Sequence, residues 1–339
     1  MNMNISFFEE KPLLDDLDLK IEILDKLKHI HINDLLNTIF YGLPCTGKTI
    51  KIYAFLATIL DKRVYDLKNI TFEEDRKKVF YKASIYHIEI DPIVLGSNEK
   101  FFIQTFLKSY CETKNIGLNI AKIVLVKNAH LLSKQSQLSF KILIENNLIT
   151  SKFIFEISNL SKFNITLGSR CVLIKIPCPK FEDVKKCLIN YSLRKNFKIE
   201  DNIIEDIIKN SNKIDFYINL KKVFGYYLYY TSVNKKFEFL YYDKFDEIIT
   251  LINNKKISFI TLQKIRDLVN ELYINLIPMN ELLIYIFNTM YKMNINDDTF
   301  LYKLIELTQK CDLNLIKGNK ECLHLEHYII SIIDTIHNK

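Results

Sequence analysis

The apolar residues in the first half of the chain come in short runs, separated by longer segments with helical spacing. Five of these runs predict β-strands, and they lie at residues 36–42, 86–90, 121–126, 153–157 and 172–176. The run at 121–126 (AKIVLV) is almost continuously apolar, as are strands of a parallel sheet that is covered on both faces. The pattern predicts an α/β fold with a parallel five-stranded sheet and helices on both faces.

A second kind of pattern begins at residue 64 and runs up to the second of these strands, at 86–90. Apolar and polar positions alternate on either side of a charged turn at residues 73–78, which predicts a β-hairpin. The basic residues of its tip are Arg76, Lys77 and Lys78, and Lys82 follows. A charged turn is often no more than a solvated one, so these charges alone do not indicate a ligand.

From residue 178 onward the pattern is helical. Residues 180–233 contain three amphipathic segments, and residues 239–339 contain five more, one of them opened by Pro278. We therefore predict three parts: an α/β core at 1–177, a small helical domain at 178–238 and an all-helical domain at 239–339.

The strongest chemical signal is the loop between the first strand and the helix after it. Residues 42–49 read GLPCTGKT, which fits the phosphate-loop pattern G-x-x-x-x-G-K-[ST]. Its glycines permit a backbone path that points N–H groups at an anion, the lysine would reach the β- and γ-phosphates, and the last hydroxyl would meet Mg²⁺. The loop predicts binding of ATP or ADP with Mg²⁺ by Gly42, Pro44, Cys45, Thr46, Gly47, Lys48 and Thr49.

The second acidic motif of a phosphate-loop ATPase is absent. Carboxylates that hold Mg²⁺ and position the attacking water normally follow an apolar strand, but after residues 121–126 this chain reads Lys127-Asn128. Lys127 would bring positive charge to the place of Mg²⁺, and Glu89 and Asp91, on an earlier strand, look like poor substitutes. We expect nucleotide binding with little hydrolysis.

Composition and charge make some classes of protein less favoured but do not identify the function. The 339 residues include 47 Lys and Arg against 40 Asp and Glu, a net charge of +7, which is compatible with nucleic acid but too dilute to indicate it. Seven cysteines occur with no C-x-x-C pair, which favours reduced thiols over disulfides or zinc. No segment has the pattern of a signal peptide or a membrane span, so we expect an intracellular protein with no membrane partner.

Five motifs occur in an order that resembles the small subunits of replication factor C, the eukaryotic sliding-clamp loader. They are FYGLPCTGKT, SIYHIEIDPIVLG, KIVLVKNAHLL, FIFEISNL and LGSRC. The likeness continues through residues 257–283 and 324–334. It is greatest to the subunit at the open end of the five-membered arc, numbered three or five, which also has a damaged acidic motif. The resemblance implies an AAA+ core, a helical lid at 178–238 and a collar at 239–339.

The resemblance also implies roles for single residues. Arg170 matches the arginine finger that acts on ATP bound by the adjacent subunit, with a surface arginine as the alternative. Asn159 matches the polar sensor of the γ-phosphate, although it could equally be a turn residue that ends a strand. The hairpin residues Arg76, Lys77, Lys78 and Lys82, and Lys141 on a later helix, match basic positions that face DNA.

The function implied is that of a subunit in a heteropentameric, ATP-driven machine that opens the sliding clamp and loads it onto primer-template DNA in replication and repair. Its partners would be three other small subunits, one large subunit, the clamp and the DNA, and its location the nucleus. The lid arginine is missing, since no arginine occurs between Arg194 and Arg266. The alternative is a free-standing AAA+ nucleotide-binding module with no link to clamp or DNA.

Overall fold

The computed structural model describes residues 11–19, 22–74, 77–115, 117, 120–194, 201–211, 217–233, 240–253, 259–294, 297–318 and 320–337. These residues fall into two compact units. The first contains the described residues up to 211 together with 217–231, and the second contains the described residues from 232 onward.

The first unit is built on a sheet of seven strands in the order β2-β3-β4-β5-β6-β1-β7. The strands are β1 (Thr38–Tyr41), β2 (Lys68–Glu74), β3 (Lys77–Ala83), β4 (His87–Ile90), β5 (Lys122–Val126), β6 (Ser151–Ile157) and β7 (Val172–Lys175). Strands β4, β5, β6, β1 and β7 run parallel, which confirms the predicted five-stranded parallel sheet. The β2-β3 hairpin extends it, because β3 pairs antiparallel with β4.

Helices cover both faces of this sheet. They are α1 (Glu22–Leu27), α2 (Lys48–Ile59), α3 (Pro92–Leu95), α4 (Glu99–Phe102), α5 (Lys108–Cys111), α6 (Lys134–Asn146) and α7 (Ile165–Gly168), with a π-helical turn (Ile103–Leu107) joining α4 to α5. On one face α2 packs against β1, where the rings of Phe55 and Phe40 are 6.2 Å apart. On the other, Phe140 of α6 meets Phe153 and Phe155 of β6 edge to face.

Strand β6 shows how the alternation of side chains assigns residues to these two layers. Phe153, Phe155 and Ile157 belong to the core under α6, whereas Ile154 belongs to the core under α2. Glu156 therefore lies on the α2 face, at the carboxyl end of the strand. Ligands of open α/β sheets bind at this edge.

Three further helices in the first unit share a core of their own. These are α8 (Phe181–Arg194), α9 (Asp201–Ser211) and α10 (Leu220–Val233), packed through Val184, Leu188, Ile204, Val223 and Tyr227. The separate boundary predicted between residues 177 and 178, and with it the three-part division, remains a prediction.

The second unit is helical in its described residues. Its helices are α11 (Leu240–Asn253), α12 (Phe259–Ile274), α13 (Met279–Met293), α14 (Asp298–Lys317) and α15 (Glu321–His337), with Pro278 directly before α13. Phe245, Leu282, Ile286 and Ile329 are fully buried in it. None of the helices in the described part of the chain combines the length and apolar character needed for a transmembrane span.

Candidate functional site

The phosphate-loop sequence forms the turn between β1 and α2. Gly42 lies so close to the end of β7 that a Cβ atom would come within 2.4 Å of the Ile176 carbonyl oxygen. Gly47 precedes α2 with φ of 82°, in the left-handed region that favours glycine. Cys45 has φ of 57°, a conformation that costs a non-glycine residue some backbone strain. The two glycines are thus required for two different reasons, close packing and handedness.

Lys48 is held over this loop by three acceptors. Its Nζ donates to the carbonyl oxygens of Gly42 and Leu43 at 3.1 and 2.8 Å and to Ser158 Oγ at 3.1 Å. The side chain is buried, and burial lowers the pKa of Lys48 against the opposing effect of the Glu156 charge. Inside the loop, the Thr46 hydroxyl donates to Leu43 O at 2.9 Å. The Lys48 ammonium is therefore already positioned over the phosphate loop.

Thr49 is paired with a carboxylate that the sequence analysis did not single out. Its Oγ1 donates to Glu156 Oε1 and Oε2 at 2.9 and 3.0 Å. Glu156 is buried, and burial raises its pKa against the lowering effects of the Lys127 and Lys48 charges. The signal was in the sequence: a single acid interrupts the apolar strand FIFEI, on the face that the alternation assigns to α2.

Lys127 and Asn128 lie at the end of β5, as predicted. The positive charge that Lys127 was expected to bring there is, however, paired with a carboxylate. Lys127 Nζ makes an ion pair of 2.8 Å with Glu89 Oε1, and the Tyr53 hydroxyl also donates to Glu89. Burial pushes the pKa of Glu89 up, but the charge and hydrogen bonds of its partners outweigh burial and lower it. Asn128 Nδ2 donates weakly to Asp91 at 3.3 Å. The Lys127 charge is therefore balanced by Glu89.

A cavity of about 450 Å³ opens over the loop. The predicted residues Pro44, Cys45, Gly47, Lys48, Thr49 and Asn128 line it, together with Glu156, Ser158, Lys51, residues 16–19 of the N-terminal segment and Lys221 at the start of α10. Burial lowers the pKa of Lys51 to about 8. Sequence reasoning missed Lys221, a basic residue placed at this wall because Leu220 N donates to Cys45 O at 3.1 Å.

Asn159 and Arg170 lie away from the Lys48 contacts. Asn159 is exposed, and its Oδ1 accepts from Ser161 N and Oγ at 3.0 and 2.6 Å; it is the adjacent Ser158 that touches Lys48. Arg170, just after α7, donates from Nε to Glu145 Oε1 at 2.6 Å and is partly exposed. The sensor and arginine-finger roles remain predictions.

The basic hairpin residues do not share one face. Lys77 lies over the Phe101 ring at 4.7 Å, whereas Lys78, on the opposite face of β3, pairs with Glu73 at 2.5 Å. Lys82 is exposed on the same face as Lys78, and Lys141 of α6 is partly exposed. Arg76 lies outside the described residues. Contact with DNA remains a prediction for all five.

Comparisons with known proteins agree with this architecture. No family model matches the chain. A protein named as a replication factor C small subunit in Acanthamoeba polyphaga mimivirus is 24% identical over 97% of this chain and 91% of the relative. Replication factor C subunit 5 of Saccharomyces cerevisiae is 23% identical over 88% and 89%, and subunit 3 of Homo sapiens is 25% identical over 46% of each.

Among solved structures, AMPPCP-bound DnaA from Aquifex aeolicus superposes with a TM-score of 0.53 at 14% identity, over 98% of this chain and 100% of that one. At that identity the likeness concerns the fold alone. The sheet order, the phosphate loop and this neighbour together give the chain the predicted AAA+ type of fold. The chain is similar, over 46–97% of its length, to proteins named replication factor C small subunits, two of which are numbered five and three. The resemblance predicted from the sequence is thus confirmed.

Proposed function

We propose that this protein is a small subunit of an ATP-dependent clamp loader, which acts in DNA replication and repair by opening a sliding clamp and placing it on primer-template DNA. The observation that carries the proposal is an intact phosphate loop, with Lys48 seated over it, in a chain whose replication factor C relatives match it almost end to end. The nucleotide would be ATP or ADP, with Mg²⁺ to neutralise phosphate charge beside the Thr49 hydroxyl.

Hydrolysis at this chain's own site would be negligible. The strand end that normally supplies the acids carries Lys127, engaged by Glu89, and Asn128. The position that would activate water thus lacks a carboxylate. The bound nucleotide would then serve mainly to hold the loop, α2 and α10 in one arrangement.

Arg170 would act in trans, on nucleotide bound by the adjacent subunit. It is partly exposed and follows the exposed Ser169, so a neighbour could reach it. A guanidinium at the transition-state phosphoryl oxygens is worth roughly 10³ to 10⁵ in rate in other phosphate-loop enzymes. The Glu145 carboxylate that now binds it would have to be exchanged for phosphate on assembly.

Contacts to primer-template DNA would come from the basic residues of the hairpin and from Lys141. Lys78 and Lys82 share an exposed face of β3, and lysines on such a face commonly contact backbone phosphates. The loader would work wherever the DNA replicates, which in a eukaryotic cell is the nucleus.

Reconstitution with sister subunits tests this proposal. We expect the chain to join three other small subunits and one large subunit in a single peak on size exclusion, and the complex to load the clamp with ATP only when the chain is present. A free-standing module would stay alone on the column, and a loader assembled from the sisters without this chain would lose nothing.

A further inference from the structure

A buried acid, Glu156, lies beside the phosphate loop. In the parallel pairing of β5 with β6 the last registered pair is Val126 with Phe155. The next residues on the two strands are Lys127 and Glu156, side by side at the carboxyl edge of the sheet. Glu156 therefore lies on the same face of the sheet as Lys127, which replaces the missing acid, and at the same level along the strands, but on the neighbouring strand β6.

Thr49 and Glu156 present oxygens of the kind that Mg²⁺ binds, close enough to share one ion. Mg²⁺ binds oxygen ligands at 2.0–2.1 Å in an octahedron, whose adjacent corners are about 2.9 Å apart. Thr49 Oγ1 lies 2.9 Å from Glu156 Oε1, the length of an ordinary hydrogen bond, so an ion could take the place of that bond without moving either side chain far. A hydroxyl and a carboxylate are hard oxygen donors, and Mg²⁺ is commonly held by one or two carboxylates together with phosphates and waters.

Neighbouring charges leave this carboxylate available. The ammonium of Lys127 is bound by Glu89 on β4 at 2.8 Å, and that of Lys48 by two loop carbonyls and Ser158. The contact that the structure gives the Glu156 carboxylate is the Thr49 hydroxyl. A carboxylate with about nine-tenths of its surface buried is costly in its charged form unless a cation or several donors face it.

We propose that Glu156 replaces the lost acidic motif as the carboxylate ligand of nucleotide-bound Mg²⁺, so that this chain binds a magnesium–nucleotide complex through Thr49 and Glu156 on two different elements. The inference rests on the proposed nucleotide binding. It assigns Glu156 a binding role and gives it no part in activating water, since its carboxylate bonds to the Thr49 hydroxyl from inside the sheet.

The test is the effect of Mg²⁺ on binding of a fluorescent ADP or ATP analogue to the purified chain. Glu156→Gln keeps the shape and removes the charge. Its matched control is Glu99→Gln, which alters another carboxylate that is 9% exposed, as Glu156 is. Glu99 also accepts from a hydroxyl, that of Ser133, but outside the cavity. Thermal unfolding without nucleotide checks that each variant folds.

We expect Mg²⁺ to tighten nucleotide binding to the wild type and to the control. Glu156→Gln should lose about 10-fold or more of that gain, because a direct ligand matters at least as much as the outer-shell partners whose loss costs about 10- to 100-fold, while its binding in EDTA is retained. Mn²⁺ should give an electron paramagnetic resonance signal of immobilised metal in the wild type and not in Glu156→Gln. A Mg²⁺ response unchanged in Glu156→Gln, or absent from a wild type that binds nucleotide, would overturn this inference alone. A wild type that binds no nucleotide would overturn the proposed nucleotide site as well.

Discussion

Arg170 Nε donates to Glu145 Oε1 at 2.6 Å, linking the turn after α7 to the last turn of α6. The guanidinium is oriented by this exposed carboxylate and by the Thr166 carbonyl oxygen, to which Nη1 donates. An exposed ion pair contributes little to stability, so breaking it to let Arg170 bind a phosphate would cost little free energy.

The first prediction follows from that pair. In the reconstituted loader, Arg170→Ala should lower ATP turnover at the one adjoining site by about 10³-fold or more and impair clamp loading, and Arg170→Lys should not rescue it because an ammonium lacks the planar fork. Single-turnover hydrolysis at that site is the measurement. Glu145→Gln is the matched control and should keep turnover; if Arg170→Ala is silent while Lys48→Ala is crippling, the trans role is wrong.

The second prediction concerns this chain's own site. The isolated protein should bind nucleotide with negligible turnover, and Asn128→Glu should not restore hydrolysis, because Lys127 and its partner Glu89 still occupy the end of β5 and β4. Phosphate release over hours, compared with Lys48→Ala, measures this. Substantial release that disappears in Lys48→Ala would refute the loss of activity.

The third prediction concerns DNA. Replacing Lys78 and Lys82 with Ala should weaken DNA binding by the assembled loader, irrespective of sequence, and reduce the slope of log affinity against log salt by about 2. Fluorescence anisotropy over a salt series measures the slope. Lys303→Ala with Lys310→Ala, two exposed lysines of α14, makes the same change in net charge; if both double variants give one slope, the hairpin makes no phosphate contact.

The fourth prediction is a pH effect at His87. Burial lowers the pKa of His87 to about 4, with Glu89 opposing and Lys127 reinforcing the shift; among the described residues its Nε2 has no hydrogen-bond partner. A folded pKa below the unfolded value of about 6.5 means that the unfolded state takes up the proton first, so stability falls as pH drops from 6.5 toward 4. The full effect is about 3 kcal/mol.

Urea denaturation at pH 7 and pH 5 checks this. His87→Gln should show a smaller loss between the two pH values than the wild type, whatever its absolute stability, because glutamine cannot take up a proton. The exposed His29 provides the control, and His29→Gln should follow the wild type. Parallel curves for all three proteins would mean that His87 is protonated equally in both states.

The strands, the loop and most helices could be predicted from sequence because each depends on a local period or on a few adjacent residues. The parallel sheet and the phosphate loop at residues 42–49 are of this kind. The side-chain contacts of Lys127 and Asn128, which stand in place of the acidic motif, could not be predicted in the same way. Lys127 finds its counter-ion in Glu89, which is distant in sequence and meets it only through the pairing of β4 with β5.

The hairpin illustrates the same limit. Its alternation gave the two strands, but which lysines share a face depends on the exact start of β3. Lys77 turns to Phe101 while Lys78 turns to the other side. Glu156 could have been noticed from the sequence, because it is an acid inside an apolar strand. Its contact with Thr49 could not, because the two residues meet only in the folded protein.

The hydrogen bond from Leu220 N to Cys45 O connects the phosphate loop directly to the start of α10. The direction of the Cys45 carbonyl is set by its left-handed backbone, so a rotation of that one peptide would release the first turn of α10. Because α10 shares a core with α8 and α9 through Val223 and Tyr227, the conformation of one loop peptide is coupled to the position of the three-helix group.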